Sequence, residues 1–365
     1  MSKKLTYDTS LFGAAMLLVV VGLVMIFSAS AIIATQKFGA ASPYLFLTRQ
    51  CVFLFGGGAL MLILMHVDSR YLADRRVIYG VMAIVLIALV AALFQRPING
   101  THRWIELPHF QLQPSEFAKP AIILFLAYVL ARREDRINEL TTTLLPICFV
   151  LALFAGLILL EPDFGTAAAI VLVACGMIFA AGIAWRRMLL FSFALIPAAV
   201  ALALGAAYRR DRLFTFINPE ADPRGKGFQA MQSLIAIGTG GVQGLGIGNG
   251  RQKLFFLPEP HTDFIFSIIG EELGFIGAVF LIGVFAFLAW RGFRVARYSQ
   301  QRFAFYAALG FTLMITVQAL INVSVALCLL PTKGLPLPLV SYGGSSLTAS
   351  LIAVGVLLNL SQQSS

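Results

Sequence analysis

Charge is scarce in this sequence of 365 residues: only 12% are Asp, Glu, Lys or Arg, whereas 59% are hydrophobic. A soluble domain carries about 25% charged residues, so an ordinary water-exposed surface is excluded. The basic residues form no concentrated stripe, which argues against nucleic-acid binding. The four cysteines show no paired spacing and argue against a disulfide framework or a metal site. Walker A, His-Glu-x-x-His and Gly-x-Ser-x-Gly motifs are absent.

What the sequence has is a series of apolar runs of about 20 residues, the length that crosses ~30 Å of hydrocarbon as a helix. We therefore predict an all-α integral membrane protein of about ten transmembrane helices, forming one polytopic domain over residues 1–365. A large outer loop, residues 208–261, would separate helices 7 and 8. The predicted spans are Leu11–Ala34, Leu45–His66, Val77–Phe94, Ser115–Ala131, Thr141–Leu160, Thr166–Ile183, Met188–Ala207, Thr262–Trp290, Phe303–Leu330 and Val340–Leu360.

The basic residues predict the orientation, because cytoplasmic loops carry an excess of Lys and Arg. With the amino terminus inside, fourteen fall on the cytoplasmic side: Lys3, Lys4, Arg70, Arg75, Arg76, Arg132, Arg133, Arg136, Arg186, Arg187, Arg291, Arg294, Arg297 and Arg302. The short outer loops hold five: Lys37, Arg49, Arg96, Arg103 and Lys333. Ten spans then place both termini in the cytoplasm and residues 208–261 outside.

Ionisable residues at membrane depth are costly and indicate functional sites by default. Glu116 and Lys119 are three residues apart, share a helix face and can neutralise each other. They form either a structural ion pair or a pair in which Lys119 also contacts substrate. Asp163 follows a Glu-Pro pair in a tight outer turn, where it caps the next helix or serves the site.

The outer loop contains an amphipathic stretch, residues 228–238, that is too short to span and suits an interfacial or re-entrant helix. Seven glycines follow between residues 238 and 250, in a pattern that does not match a dinucleotide site. The loop ends at His261 and Asp263, directly before the eighth span. Asp263 is either an N-cap or a functional carboxylate at the outer edge. Glu271 and Glu272 lie deeper and imply a surrounding of protein or water.

Prolines and glycines break the helical pattern between residues 330 and 346. Such backbone is tolerated at membrane depth only where it is buried or lines a cavity. Because nearly all of these polar groups gather towards the outer face, we predict a chamber that opens outward.

Several of these segments, in order and over nearly the whole chain, resemble the SEDS family of bacterial cell-wall proteins, the FtsW, RodA and SpoVE type. The matching motifs are Gln-Pro-Ser-Glu-Phe-Ala-Lys (113–119), Glu-Pro-Asp-Phe-Gly-Thr (161–166), His-Thr-Asp-Phe-Ile-Phe (261–266), Glu-Glu-Leu-Gly (271–274) and Pro-Leu-Val-Ser-Tyr-Gly-Gly-Ser-Ser (338–346). Two further segments resemble the division-type members of the family, the FtsW type, more closely: Leu-Pro-Thr-Lys-Gly (330–334) and Gly-Asn-Gly-Arg-Gln-Lys-Leu (248–254).

The resemblance implies a peptidoglycan glycosyltransferase that polymerises undecaprenyl-diphosphate-linked disaccharide-peptide, lipid II, at the outer face of the cytoplasmic membrane. It implies that Asp263 is the catalytic acid. The other family positions match Arg103, Glu116, Lys119, Asp163, Arg212, Gln232, His261, Glu271, Ser341 and Ser345. It also implies a class B penicillin-binding protein as transpeptidase partner, together with other divisome or elongasome membrane proteins. A divalent cation, Mg or Mn, would suit the diphosphate leaving group.

Two rival functions stay open at this point. A lipid II flippase would suit ten spans with an interior ion pair, but a carrier should show internal repeats and polar groups at the midplane. A non-catalytic scaffold for cell-wall enzymes would not explain why Asp263 and Glu271 are acidic.

Overall fold

The computed structural model describes residues 7–38, 42–97, 101–106, 110–187, 227–254, 256–331 and 334–362, with four isolated positions between 188 and 226. Its helices are α1 Thr9–Phe38, α2 Leu45–His66, α3 Ser69–Leu72, α4 Arg75–Leu93, α5 Pro114–Arg132, α6 Leu145–Leu160, α7 Phe164–Ala180, α8 Phe228–Gly240, α9 Ile265–Tyr298, α10 Arg302–Ala326 and α11 Gly344–Ser361. A 3₁₀ turn (Glu134–Arg136) and a π turn (Leu140–Leu144) precede α6. Strands β1 (Ile105–Glu106) and β2 (Gln111–Leu112) form an antiparallel hairpin before α5.

Within this described part of the chain, eight helical segments are long and apolar enough to cross a membrane: α1, α2, α4, α5, α6 with its π turn, α9, α10 and α11. The shorter apolar helix α7 coincides with the predicted sixth span. The predicted seventh span, Met188–Ala207, lies outside the described residues. The all-α membrane fold is confirmed. The eighth span was predicted to end at Trp290, but α9 continues two turns further, to Tyr298.

Helices α5 and α11 occupy the centre of the bundle. Almost every residue of both is buried, whereas α2, α4 and α6 expose apolar side chains such as Phe55, Ile84 and Phe149. This explains why α5 can carry Glu116 and Lys119, since its neighbours shield it from lipid. The outer helices present the uniformly apolar surface that hydrocarbon requires.

The two ends of the bundle can be told apart by their contacts. At one end, here called the terminal face, the Asp8 carboxylate pairs with Arg291, and the Asp8 backbone N–H donates to Ser361 Oγ at 3.0 Å. Both ends of the described chain therefore meet on this face. Arg302, at the start of α10, pairs with Glu134 there at 2.9 Å. The opposite end, the site face, holds the residues predicted to be functional.

Helix α8, predicted to be interfacial or re-entrant, packs along α9 and ends beside Gly270. At that depth α9 is broken at Gly274, whose φ of 67° suits a glycine. The loop after α8 pairs with the backbone groups that the break releases. The four hydrogen bonds run from Phe275 N–H to Gly241, Ile276 N–H to Val242, Leu245 N–H to Glu271 and Gly246 N–H to Glu272. The break therefore leaves these groups satisfied inside the membrane.

Candidate functional site

Asp263 ends a short non-helical segment whose backbone is held from three sides. The carbonyls of residues 261, 262 and 263 accept, in order, from the Tyr342 N–H at 2.9 Å, Ser341 Oγ at 2.5 Å and Asn322 Nδ2 at 2.9 Å. Ser341 is itself fixed, because its hydroxyl accepts from the Leu337 N–H at 2.8 Å. The structure thus gives Ser341 a positioning contact with the segment that carries Asp263.

The structure places Asp263 one residue before the N-cap position of α9. Helix α9 begins at Ile265, and its N-cap position belongs to Phe264, whose side chain makes no capping bond. Asp263 therefore does not occupy the N-cap position. Its side chain is partly exposed and lies against Gly334, where an added Cβ would approach Asp263 Oδ2 to 3.1 Å. Asp263 is thus partly exposed while its backbone is fixed.

His261 is buried in an aromatic cluster beside Asp263. Its ring centroid lies 4.6 Å from that of Phe46 and 5.5 Å from that of Tyr342. Glu259 approaches the imidazole Nε2 at 3.9 Å from a more exposed position. Packing of this kind fixes the ring and, through it, the segment leading to Asp263.

Two amides on α10 join Asp263 to the interior ion pair. Gln318 and Asn322 are one turn apart and therefore share a face. Asn322 Nδ2 donates to the carbonyls of Asp263 and Leu335, while Gln318 Nε2 donates to the carbonyl of Pro336 at 2.8 Å. The broken segment at 335–336 is thereby held between the two functional groups. Sequence analysis missed both amides, although polar residues four apart in an apolar span are a signal.

Glu116 and Lys119 form the predicted ion pair. Lys119 Nζ donates to Glu116 Oε2 at 2.8 Å and to Gln318 Oε1 at 2.6 Å, and all three side chains are buried. The positive charge of Lys119 is therefore compensated before any substrate binds. Substrate contact by Lys119 or Glu116 stays a prediction.

Asp163 caps α7, as the local pattern indicated, and also ties α7 to α5. Its carboxylate accepts from the Thr166 N–H at 3.2 Å and the Thr166 hydroxyl at 2.8 Å. Gln113 Nε2 reaches Asp163 Oδ2 at 3.1 Å. The Gln113 N–H in turn donates to Ser345 Oγ at 2.9 Å, which connects the starts of α5 and α11. Asp163 and Ser345 thus belong to one network.

Arg103 holds the outer turn between α6 and α7. Its guanidinium donates to the carbonyls of Glu161, at 3.1 Å, and Pro162. The Glu161 carboxyl is fully buried and has no hydrogen-bond partner among the described residues. Burial, reinforced by the nearby charge of Asp163, raises the pKa of Glu161 to about 9 despite Arg103. Glu161 is therefore neutral at pH 7.

Glu271 and Glu272 face the loop that follows α8, residues 241–254, here called the re-entrant loop. Glu271 Oε1 accepts from the Arg251 N–H at 2.7 Å and the Gln252 N–H at 3.2 Å. Glu272 pairs with Lys253 at 2.6 Å, and the Ser28 hydroxyl of α1 donates to the same carboxylate at 2.7 Å. Both acids are buried in protein, as the sequence predicted. Their contacts anchor the loop, and a substrate contact of Glu271 stays a prediction.

For the two remaining predicted residues, Gln232 and Arg212, the structure describes fewer contacts or none. Gln232 lies half-buried on α8, whose neighbouring Ser233 hydroxyl is 2.6 Å from Ser267 Oγ on α9. Arg212 lies outside the described residues. In the part of the chain that the structure describes, no three His, Cys, Asp or Glu side chains gather as a metal site would require.

Comparison with known proteins gives one consistent result. Residues 8–365 match the sequence profile of the FtsW/RodA/SpoVE family, described as "Cell cycle protein". The "Probable peptidoglycan glycosyltransferase FtsW" of Trichlorobacter lovleyi is 44% identical, over 97% of this chain and 93% of that protein. The "Stage V sporulation protein E" of Bacillus subtilis is 40% identical, over 100% of this chain and 99% of that protein.

Two solved structures have the same fold. A chain from a structure described as "Structural coordination of polymerization and crosslinking by a peptidoglycan synthase complex" superimposes with a TM-score of 0.80 at 32% identity, covering 98% of both chains. The rod shape determining protein RodA of Thermus thermophilus gives a TM-score of 0.72 at 30% identity, covering 98% of this chain and 97% of that one.

Proposed function

Since the chain belongs to the FtsW/RodA/SpoVE family, we propose that it is a peptidoglycan glycosyltransferase that polymerises lipid II into glycan strands for cell-wall synthesis. The relatives named FtsW favour a role in division. A lipid-linked diphosphate donor carries its own leaving group, so the reaction needs no nucleotide site.

The observation that carries this proposal is the geometry around Asp263. The residue is partly exposed, and three hydrogen bonds fix the backbone of residues 261–263. A general base must be held within hydrogen-bond reach of the hydroxyl that it deprotonates. We assign to Asp263 the removal of the proton from the attacking sugar hydroxyl as the new glycosidic bond forms and the undecaprenyl diphosphate leaves.

The departing diphosphate requires positive charge. Arg103 is the best candidate among the described residues, because its guanidinium contacts only backbone carbonyls of the outer turn and its neighbour Glu161 is neutral. Arg212 is proposed to join it. Lys119 is already paired with Glu116, so its proposed contribution is to hold Gln318 and, through Gln318, the segment beside Asp263. Asp163, Gln232, His261, Glu271, Ser341 and Ser345 are proposed to shape the substrate site.

The described side chains do not fit a metal held by protein ligands alone. A divalent cation, Mg or Mn, would therefore enter only with the substrate's phosphates. The proposed partner is a class B penicillin-binding protein, acting with other membrane proteins of the divisome or elongasome. One structural relative comes from a complex that couples polymerisation to crosslinking, which supports this assignment.

The test is polymerisation of fluorescent lipid II by the purified protein with its partner in liposomes. Asp263→Asn keeps the side-chain size but removes the base, so we expect a loss of about 10²–10⁴-fold in glycan formation. Glu259→Gln is the matched control, because it neutralises a neighbouring acid with a more exposed side chain. We expect that variant to stay within about twofold of wild type.

Asp263 would not be the base if the asparagine variant polymerised within about tenfold of wild type while remaining folded. Wild-type protein that moved lipid II across the bilayer without making glycan would identify a flippase. Glycan formation by the partner alone, unaffected by this chain, would identify a scaffold.

A further inference from the structure

A second cavity, distinct from the site around Asp263, opens on the terminal face. It lies between the start of α4, the end of α5 and the π turn before α6, and encloses about 670 Å³. Ligand sites typically measure about 300–1,000 Å³. Its polar lining consists mainly of Arg75, Arg132, Arg133, Arg136, Tyr79 and Tyr128. We call it the arginine cavity.

Among the described residues, the arginines of the arginine cavity form few close ion pairs. Over the described ranges, no carboxylate lies within 4 Å of Arg75, Arg132 or Arg133, and Arg136 approaches only Glu139, at 3.9 Å between exposed side chains. Other arginines on the same face, such as Arg291 with Asp8, do form close ion pairs. Cations gathered around a cavity repel one another, so an anion that enters it is stabilised by all of them.

Two of the arginines are oriented by aromatic rings. The guanidinium of Arg75 lies 5.5 Å from the ring centroid of Tyr79, and that of Arg132 lies 4.7 Å from that of Tyr128. The two rings meet edge to face at 6.4 Å. Stacking fixes the plane of a guanidinium and leaves its N–H donors at the edge, where they can bind phosphate in pairs.

Two strips of exposed apolar residues begin at the arginine cavity and run along the outer surfaces of α4 and α6. On α4, Tyr79, Ala83 and Ile87 are exposed at successive turns. On α6, Leu145, Phe149 and Leu153 are exposed with the same spacing and begin three residues after Thr142, which lines the cavity. A ligand with a phosphate head and hydrocarbon tails would match both features at once.

We propose that the arginine cavity binds phosphate groups and that its ligand is the headgroup of an anionic phospholipid in the adjoining leaflet. Basic residues gather on one face of any membrane protein for topological reasons. Topology, however, does not require four of them to line one cavity with two tyrosines. Basic pockets between transmembrane helices are suited to anionic headgroups.

The test uses the full-length protein, stripped of lipid in detergent, and native mass spectrometry to count bound ligands. The probes are phosphatidylglycerol, phosphatidylcholine with the same acyl chains, and inorganic pyrophosphate. We expect wild type to bind phosphatidylglycerol at least about tenfold more tightly than phosphatidylcholine. Arg75→Gln with Arg132→Gln should weaken phosphatidylglycerol binding by about tenfold or more, given roughly 1 kcal/mol per basic residue.

Arg294→Gln with Arg297→Gln is the matched control. It removes two charges from exposed positions near the end of α9, where Arg294 also lies over a tyrosine, Tyr298, at 5.7 Å. This variant should stay within about twofold of wild type. Tyr128→Leu keeps every charge but removes one stacking ring, and it provides an independent measurement should the double variant fail to fold. We expect it to weaken phosphatidylglycerol binding by about threefold.

Equal losses in the cavity and control variants would overturn the proposal, because bulk charge alone would then explain binding. So would a wild-type protein without preference for phosphatidylglycerol over phosphatidylcholine. Retention of phosphatidylglycerol in excess pyrophosphate supports the lipid as ligand. If pyrophosphate displaced phosphatidylglycerol fully and bound as tightly as the lipid does, the cavity would still be a phosphate site. Its assignment to a lipid would then be overturned in favour of a soluble phosphate ester.

Discussion

Gly334 lies so close to the Asp263 carboxylate that a single added carbon would disturb it. The Cβ of Gly334→Ala would stand 3.1 Å from Asp263 Oδ2, so the carboxylate must move by a few tenths of an ångström. Displacements of about 1 Å at a catalytic group cost about 10²-fold in rate, and we expect a loss of about tenfold in glycan formation. The measurement is the rate of lipid II polymerisation at saturating substrate.

Folding should be unaffected by this change, because Gly334 is exposed and its backbone is not in the left-handed region. Gly56→Ala is the matched control, since nothing lies within 4 Å of its added carbon. An alanine at 334 with full activity would show that the position of the Asp263 carboxylate is not critical.

Glu161 gives the protein a pH dependence of stability. Its pKa is about 9 in the folded protein, compared with about 4.5 when exposed. The folded protein therefore holds a proton that the unfolded chain releases, and stability falls as pH rises between these two values. Glu161→Gln removes this dependence, so its thermal unfolding midpoint should exceed that of wild type at pH 8 and approach it near pH 5.

The control for this titration is Glu106→Gln, which neutralises an exposed acid in the β1–β2 hairpin. It should leave the dependence of the midpoint on pH unchanged. A constant difference between Glu161→Gln and wild type at every pH would mean that Glu161 does not titrate in this range.

At this residue scale, the sequence predicts partners that are close along the chain but not those that are distant. The ion pair of Glu116 and Lys119 follows from a spacing of three within one helix, and the structure confirms it at 2.8 Å. The partnership of Lys119 with Gln318 joins residues 199 positions apart, and no local pattern encodes such a contact. The same limit hid the contact between Ser28 and Glu272, which are 244 positions apart.

At the scale of elements, the buried pair of Lys253 and Glu272 fastens the re-entrant loop to α9 and, through Ser28, to α1. Lys253→Met would leave Glu272 charged, buried and without its cation. Removing one partner of a buried pair costs about 3–5 kcal/mol, so we expect a clear fall in the thermal unfolding midpoint. Lys253→Met combined with Glu272→Gln should cost less, because no unpaired charge remains.

Equal midpoints for the single and double variants would contradict the coupling between Lys253 and Glu272. The informative quantity is therefore the difference between the two variants and not the loss in either one. A chromatographic check of monodispersity in detergent keeps unfolding distinct from aggregation.

The elements themselves were largely predictable, because apolar length is a strong signal. The short helix α8 was also anticipated from its pattern. The interruption of α9 was not, since Gly274 lies in an apolar run that reads as one continuous span. Whether a glycine breaks a helix depends on what pairs with the released backbone, and here that is a loop about thirty residues earlier. The two-residue strands before α5 were likewise too short to recognise.

At the scale of the whole molecule, the structure brings both ends of the described chain to one face and the Asp263 segment to the other. Which face meets the cytoplasm is predicted from the sequence alone: fourteen Lys and Arg residues fall in the predicted cytoplasmic segments against five in the predicted short outer loops. We therefore expect an inner-membrane protein with both termini in the cytoplasm and Asp263 facing outward, where a lipid-linked donor is available.

Cysteine labelling in intact spheroplasts checks this orientation. With the four native cysteines replaced, Glu259→Cys should react with a membrane-impermeant thiol reagent, because Glu259 is exposed beside the Asp263 segment. Gln300→Cys, exposed between α9 and α10, should react only after lysis. The reverse pattern would invert the topology, and polymerisation at the outer surface would then be impossible for this chain.

The pairing of the re-entrant loop with the break in α9 has a consequence for biosynthesis. The ribosome releases residues 241–246 before residues 271–276, yet each segment supplies the hydrogen bonds that the other lacks. Neither can enter hydrocarbon alone, because an unsatisfied backbone group there costs several kcal/mol. The earlier segment therefore stays outside the hydrocarbon until α9 has been made, and the two then enter it as one unit.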